Sequence, residues 1–237
     1  MRAALALVLL GVVAGVVFVA FPEIDLAVAR QMLATPDRFF LAANAAGEAV
    51  VRVKGIAWTA TIVFLAAGLA ATLITRRPFL SLDRRRYVFL ALCFALGPGV
   101  IANLIFKEHW GRARPGHIVE FGGTKAFTPA LTIADQCEHN CSFFSGDAAF
   151  AFTFLAFALL APWHRPALAA AAVAFGALVG LARMLAGAHF VSDIVFAGIF
   201  MGLTVLVLHR LILGEGGEPA WLRGNEAPAS RRQADSR

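Results

Sequence analysis

Charge is what this sequence has least of. Asp, Glu, Lys and Arg make up 15% of its 237 residues, against about 25% in an average soluble domain. With 59% hydrophobic residues and a mean hydropathy of +0.74, it has too little polar surface to cover a water-soluble globule. The composition therefore excludes that class and leaves an integral membrane protein. The chain holds a single tyrosine, which argues against an aromatic platform for stacking bases. It has no RNA- or DNA-binding motif, so no nucleic-acid partner is expected. Alternating strand patterning is missing, which disfavours an outer-membrane barrel. No internal repeat, no metal-ligand cluster and no sign of an obligate protein partner is visible.

What the chain does have is long apolar runs. A helix needs roughly 20 residues to cross a hydrocarbon core of about 30 Å. Runs of that kind fall at about 3–21, 55–75, 87–106, 146–162, 166–185 and 190–209. The fold expected is all-α, a polytopic bundle of six transmembrane helices. Residues 1–210 form the membrane domain, with outer loops at 22–54 and 107–144, and residues 211–237 form a disordered tail. The first run could serve as a secretory signal, but no small-x-small cleavage site follows it. FPEIDLAVARQML continues instead as an amphipathic surface helix, so an uncleaved first span is favoured.

The net charge of +6 sits mostly in short clusters between these runs. Arg76, Arg77, Arg84, Arg85 and Arg86 lie between spans two and three, and Arg165 lies between spans four and five. Arg2 and the Arg-bearing tail fall on the same side. The positive-inside rule makes that side, and both termini, cytoplasmic. The opposite side still carries Arg52, Lys54, Lys107, Arg112, Arg114 and Lys125, more cation than topology alone explains. Cys137 and Cys141, in DQCEHNC, fall on that outer side, where disulfides persist. They are candidates for a bridge, or for zinc with His139, although the spacing offers zinc no fourth ligand.

Three clusters could carry chemistry. FKEHWGRARPGH places Lys107, His109, Arg112, Arg114 and His117 in one short stretch. These are either interfacial snorkelling residues or a phosphate cradle, with Lys a point charge and Arg a bidentate fork. In NCSFFSGDAA, Ser145 stands at an N-cap position with Gly146 and Asp147 in the first turn. Helix N-termini bind anions, and capping explains the same residues. In ARMLAGAHFVSD, His189 and Asp193 are four apart, on one face of a helix beginning near His189. A carboxylate on one imidazole nitrogen fixes the tautomer and leaves the other nitrogen a base or nucleophile. Asp193 inside an apolar span marks a functional candidate. Hydropathy and Arg bias put all three clusters on one outer face.

Taken together, these residues resemble the type 2 phosphatidic acid phosphatase superfamily of membrane lipid phosphatases. The family patterns are K-x6-R-P, P-S-G-H and S-R-x5-H-x3-D. This chain has Lys107 to Arg114-Pro115, then Phe144-Ser145-Gly146-Asp147, then Ala182-Arg183 to His189 to Asp193. KEHWGRARP with NCSFFSGDAA further resembles the branch containing lipid A 4′-phosphatases. The resemblance implies a metal-independent, cofactor-free phosphatase in which His189 attacks phosphorus and forms a phosphohistidine while Asp193 orients it. Lys107, Arg114, Arg183, Ser145 and Gly146 would bind the phosphoryl group. Two positions depart from the pattern. Ala182 replaces a serine, and Asp147 replaces the histidine that protonates the leaving oxygen. Asp147 is the favoured catalytic acid, a role it fills only if burial or a nearby anion keeps its proton; the alternative is that it orients a water and His109 or His117 is the substitute donor, and Arg112 is an auxiliary contact for an anionic headgroup.

The expected function is removal of phosphate from a lipid phosphomonoester, foremost lipid A 4′-phosphate, at the outer leaflet of a bacterial-type inner membrane, with the site on the periplasmic side. Undecaprenyl pyrophosphate and phosphatidylglycerophosphate are alternative substrates, and lipid phosphotransfer is an alternative reaction. A different class is a non-catalytic lipid-binding or transport protein with a degenerate site, which the Asp147 substitution favours.

Overall fold

The computed structural model describes residues 2–42 and 44–214; the expected tail lies almost wholly outside them. Seven helices carry the chain: α1 Arg2–Ala20, α2 Glu23–Arg30, α3 Ala45–Thr75, α4 Arg84–His109, α5 Gly146–Leu160, α6 Arg165–Leu185 and α7 Val191–Leu213. Of these, α1, α3, α4, α6 and α7 are long and apolar enough to cross a membrane. Much of their apolar surface faces outward. Leu5, Ile56, Ile74 and Leu178 are all exposed, as side chains facing lipid should be. The chain is a multi-pass membrane protein.

Three expectations change. The fourth run does not make a full-length span. It folds as α5, broken after Phe152 and about 22 Å long at 1.5 Å per residue, short of the hydrocarbon core. Nearly all of its first half is buried, including Ala148, Ala149, Phe150 and Ala151, so it is an inner helix packed against α6 and α7. Second, α3 begins at Ala45, well before the expected start at 55. Asn44 caps it by accepting from Gly47 N–H at 2.8 Å, and Arg52 and Lys54 thereby become helical. Third, the all-α expectation omits a small antiparallel ribbon, β1 Leu33–Thr35 with β2 Arg38–Phe39.

α4 runs straight into the first cationic cluster. Its Ala95–Phe106 stretch is π-helical and contains Pro98, whose missing N–H breaks the ordinary α ladder. Beneath the loops that follow α4 lies an aromatic layer: Phe144 stacks on Phe200 at 5.1 Å and Trp110 on Phe143 at 5.0 Å. Trp110 also donates through Nε1 to Ala130 O at 2.8 Å, which satisfies its polar edge. This layer forms the floor on which residues 107–117 and 140–146 sit.

Candidate active site

The site is built at one end of the bundle, where α4 ends, α5 begins and α6 turns into α7. That turn requires Gly187: its φ is +66°, and a Cβ there would meet the Phe39 ring at 2.5 Å. Gly116 N–H donates to Gly187 O at 2.9 Å, tying the segment after Arg114 to the segment before His189.

His189 lies in this turn and not on α7, which starts at Val191. Its contact with Asp193 is accordingly longer than a helical i, i+4 pair suggests, Nδ1 to Oδ2 being 3.5 Å. The closer partner of Nδ1 is the Ser142 carbonyl at 2.8 Å. A carbonyl only accepts, so Nδ1 carries the proton, and Nε2 keeps its lone pair. Nε2 is buried with no hydrogen-bond partner among the described residues. Burial pushes the imidazole down to about 4, against the hydrogen bond and charge of Asp193, and the charges of Lys107 and Arg114 push the same way as burial. The ring is thus neutral at ordinary pH, with one nitrogen free.

Asp193 is held from several sides. Phe190 N–H donates to Oδ2 at 2.9 Å, the Ser142 hydroxyl donates to the same oxygen, and Arg112 Nη1 donates to Oδ1 at 2.7 Å. Arg112 is fully buried. Its other terminal nitrogen pairs with Asp25 at 2.7 Å, its Nε donates to Thr128 O at 2.9 Å, and its guanidinium lies 4.2 Å from the centre of the Phe190 ring. This corrects the expectation for Arg112. Every face of the guanidinium is occupied by protein groups, which suits it to anchoring the aspartate. Asp25 and Ser192 complete the network, with Ser192 N–H and Oγ both donating to Asp25 at 2.9 and 2.6 Å.

Lys107 and Arg114 share a tether. Lys107 Nζ donates to Asn140 Oδ1 at 3.1 Å, and Arg114 Nη2 donates to Asn140 O at 2.7 Å. Asn140 sits within the loop closed by a Cys137–Cys141 disulfide. Ser145 caps α5, its hydroxyl accepting from Ala148 N–H at 3.3 Å. Gly146 is needed for close approach: a Cβ there would meet Asn103 Oδ1 at 2.4 Å and Lys107 Cε at 3.4 Å. Arg183 Nε lies 3.0 Å from Asp147 Oδ2, an ion pair whose N–H is not aligned as a hydrogen bond. Lys54 Nζ approaches the same carboxylate at 3.3 Å. Paired with two cations, Asp147 sits as an anion, the wrong form to give a proton.

A cavity of about 620 Å³ opens beside Arg114 and Arg183 and is also lined by Arg52, His117, Asn44 and Gly187. His117 is exposed at its edge, while His109 is exposed on the last turn of α4. Ser142, Asn140 and Asp25 escaped the sequence reading, and Lys54 entered it only as one of the surplus cations on the expected outer side. Ser142 and Asn140 lie beside a recognised motif, and Asp25 shares a helix face with buried Ala29.

A buried neutral imidazole, oriented on one nitrogen and unpartnered on the other, lies in the field of Lys107 and Arg114 at one end of a bundle of membrane helices, an arrangement suited to receiving an anion. The family profile described as the PAP2 superfamily matches residues 86–215, and the chain belongs to that superfamily. It is 44% identical over 131 residues to a lipid A 4′-phosphatase of Francisella tularensis subsp. novicida, covering 54% of this chain and 59% of that protein. It is 42% identical over 101 residues to a lipid A 4′-phosphatase of Rhizobium leguminosarum, covering 42% of this chain and 43% of that protein. A lipid A 1-phosphatase of Rhizobium etli is 36% identical over 140 residues, covering 52% of this chain and 50% of that protein. The chain therefore spans less than two-thirds of each of these relatives. No solved structure matches it significantly.

Proposed function

We propose that this protein is a membrane lipid phosphatase acting on a phosphorylated lipid headgroup, with lipid A 4′-phosphate the foremost substrate. The observation that carries the reading is the buried, unpartnered Nε2 of His189, opposite a Nδ1–H held by Ser142 O and Asp193. In this reading Nε2 attacks phosphorus while Nδ1–H stays in place, and Asp193 stabilises the cation that forms. Lys107, Arg114, Arg183, the Ser145 hydroxyl and the Gly146 amide surround the phosphoryl oxygens, whose charge they neutralise as the transition state develops. Water then cleaves the phosphohistidine and frees inorganic phosphate. Every one of these groups belongs to the chain itself, and the scheme uses no cofactor.

The printed names of the relatives support lipid A as substrate, as does the cationic cavity beside Arg114 and Arg183, which suits a large anionic headgroup. We place the site at the outer, periplasmic face of an inner membrane, because the Arg76–Arg86 cluster and Arg165 lie at the opposite ends of their helices. With both termini inside, α5 serves as a short sixth pass, and residues 1–210 act as one membrane domain.

The test is phosphate release from purified lipid A, undecaprenyl pyrophosphate and phosphatidylglycerophosphate by the detergent-solubilised protein and its His189→Ala variant. Release from lipid A that depends on His189 is the expected result. Equal release by both proteins would retire the enzymatic reading and leave a lipid-binding protein; preference for another lipid would reassign the substrate.

A further inference from the structure

The phosphatase reading leaves one proton unaccounted for. When the P–O bond of a sugar or glycerol phosphate breaks, the departing alkoxide needs a proton, and Asp147 is paired as an anion with Arg183 and Lys54. Lys54 reaches this carboxylate from α3 and bridges both oxygens at 3.3 Å. The placement is built from below. Trp58, one turn along α3 from Lys54, packs at 4.6 Å on Phe150, one turn along α5 from Asp147. Two residues at helical spacing on each partner thus lock the register of the helices, and the upper contact of the two is the ion pair. The Lys54 side chain is 35% exposed and that of Asp147 is 19% exposed. The pair is therefore open to solvent, and Arg183, the other partner of Asp147, lines the cavity beside Arg114.

Resting on the phosphatase reading, we propose that Lys54 is a catalytic residue of this site: its ammonium, steered by Asp147, protonates the leaving oxygen. In the first step the bond from His189 Nε2 to phosphorus forms as the bond from phosphorus to the leaving oxygen breaks. The electron pair of that bond takes a proton from Lys54 Nζ, giving the lipid alcohol and a neutral amine. In the second step water attacks the phosphohistidine, its proton passes to the Lys54 amine, and the P–N bond breaks to return His189 and phosphate. Asp147 keeps its charge throughout and serves as a positioning residue for the amine.

Leaving-group dependence separates this role from a purely structural ion pair. The substrates are lipid A and two amphiphiles with the same alkyl tail, one an alkyl phosphate and the other a nitrophenyl phosphate, whose phenolate departs without a proton. General acid catalysis is worth about 10²-fold or more. Lys54→Gln should lose that much on lipid A and on the alkyl phosphate, and far less on the nitrophenyl phosphate. Lys54→Arg is the sharper variant, because guanidinium keeps the ion pair but does not release its proton. It should be as slow as Lys54→Gln on both alkoxide substrates. Recovery of the rate in Lys54→Arg, or an equal loss on all substrates, would reduce Lys54 to an anchor and overturn the proposal. Adding Asp147→His to Lys54→Gln supplies a different acid and should restore part of the lipid A rate; no restoration counts against the proposal even if lipid A is the only substrate turned over. Absence of His189-dependent release by the unmodified protein on every substrate would instead remove the phosphatase reading itself.

Discussion

Arg112 and Asp193 form a fully buried ion pair, Nη1 to Oδ1 at 2.7 Å, and the same guanidinium reaches Asp25 on its other side at 2.7 Å. The residue that orients His189 is therefore itself held by a cation from a different segment, and that cation by an acid near the N-terminus. The nucleophile's geometry depends on contacts between parts of the chain far apart in sequence.

Removing one member of a buried pair leaves the other uncompensated, at a cost of about 3–5 kcal/mol. Arg112→Ala, which strands both Asp193 and Asp25, should lower the thermal unfolding temperature in detergent far more than Lys125→Ala at an exposed position. Asp25→Asn keeps the shape and some hydrogen bonds, so it should destabilise less than Arg112→Ala. Equal unfolding temperatures for Arg112→Ala and the parent protein would show that the network contributes nothing.

The His189 imidazole is pushed down to about 4, chiefly by burial. A depressed histidine is neutral above that value and gains its proton only below it, so the nucleophile is competent at neutral pH and is lost as pH falls through about 4. The acid limb of kcat/KM, which reports the free enzyme, should bend near this value. A limb centred on the ordinary histidine value of 6.5 would mean that the ring is not desolvated.

Asn140 links Lys107 to Arg114 from inside the Cys137–Cys141 loop. Asn140→Ala should raise KM for the phosphorylated lipid by roughly tenfold, about the worth of a hydrogen bond to a charged group. Cys137→Ser with Cys141→Ser should move KM the same way, because a loosened loop no longer fixes the tether. Unchanged steady-state kinetics in both would separate the loop from the phosphate site.

Lys107→Ala and Arg183→Ala each remove a cation from the phosphoryl cradle. A single preorganised donor of this kind is worth about 10²–10³ in kcat. Each variant should lose that much while remaining folded in the membrane, as judged by detergent-resistant monodispersity. Normal rates in both would mean that the phosphate binds elsewhere.

The parts of the site legible in the sequence were those at short, fixed spacing. Lys107 with Arg114, and Arg183 with His189 and Asp193, are read directly because each set lies within a few turns of one segment. Composition likewise showed the membrane class. What stayed hidden was tertiary. Asp25 joins Arg112 and Ser192, and Lys54 joins Asp147, across long stretches of chain, and no local pattern announces such partners. Arg112 misled for the same reason: a cation among cations looks like a ligand contact until its buried acids are seen. The fourth run folds shorter than a full-length span because hydropathy measures apolarity and not length. α5 is apolar because protein surrounds it, and it need not match the bilayer thickness. The first turns of α3 were hidden because Arg52, Lys54 and Glu48 read as loop, although an Asn44 cap starts the helix before them.

The most direct measurement asks whether phosphate passes through His189. Protein mixed with lipid A radiolabelled at the 4′-phosphate should be quenched in alkali within the first turnovers, where phosphohistidine survives, and its peptides examined for the label. The expected result is label on the peptide containing His189, lost on acidification and absent from His189→Ala. Label on another residue, or full turnover by His189→Ala, would contradict the nucleophilic role of this imidazole.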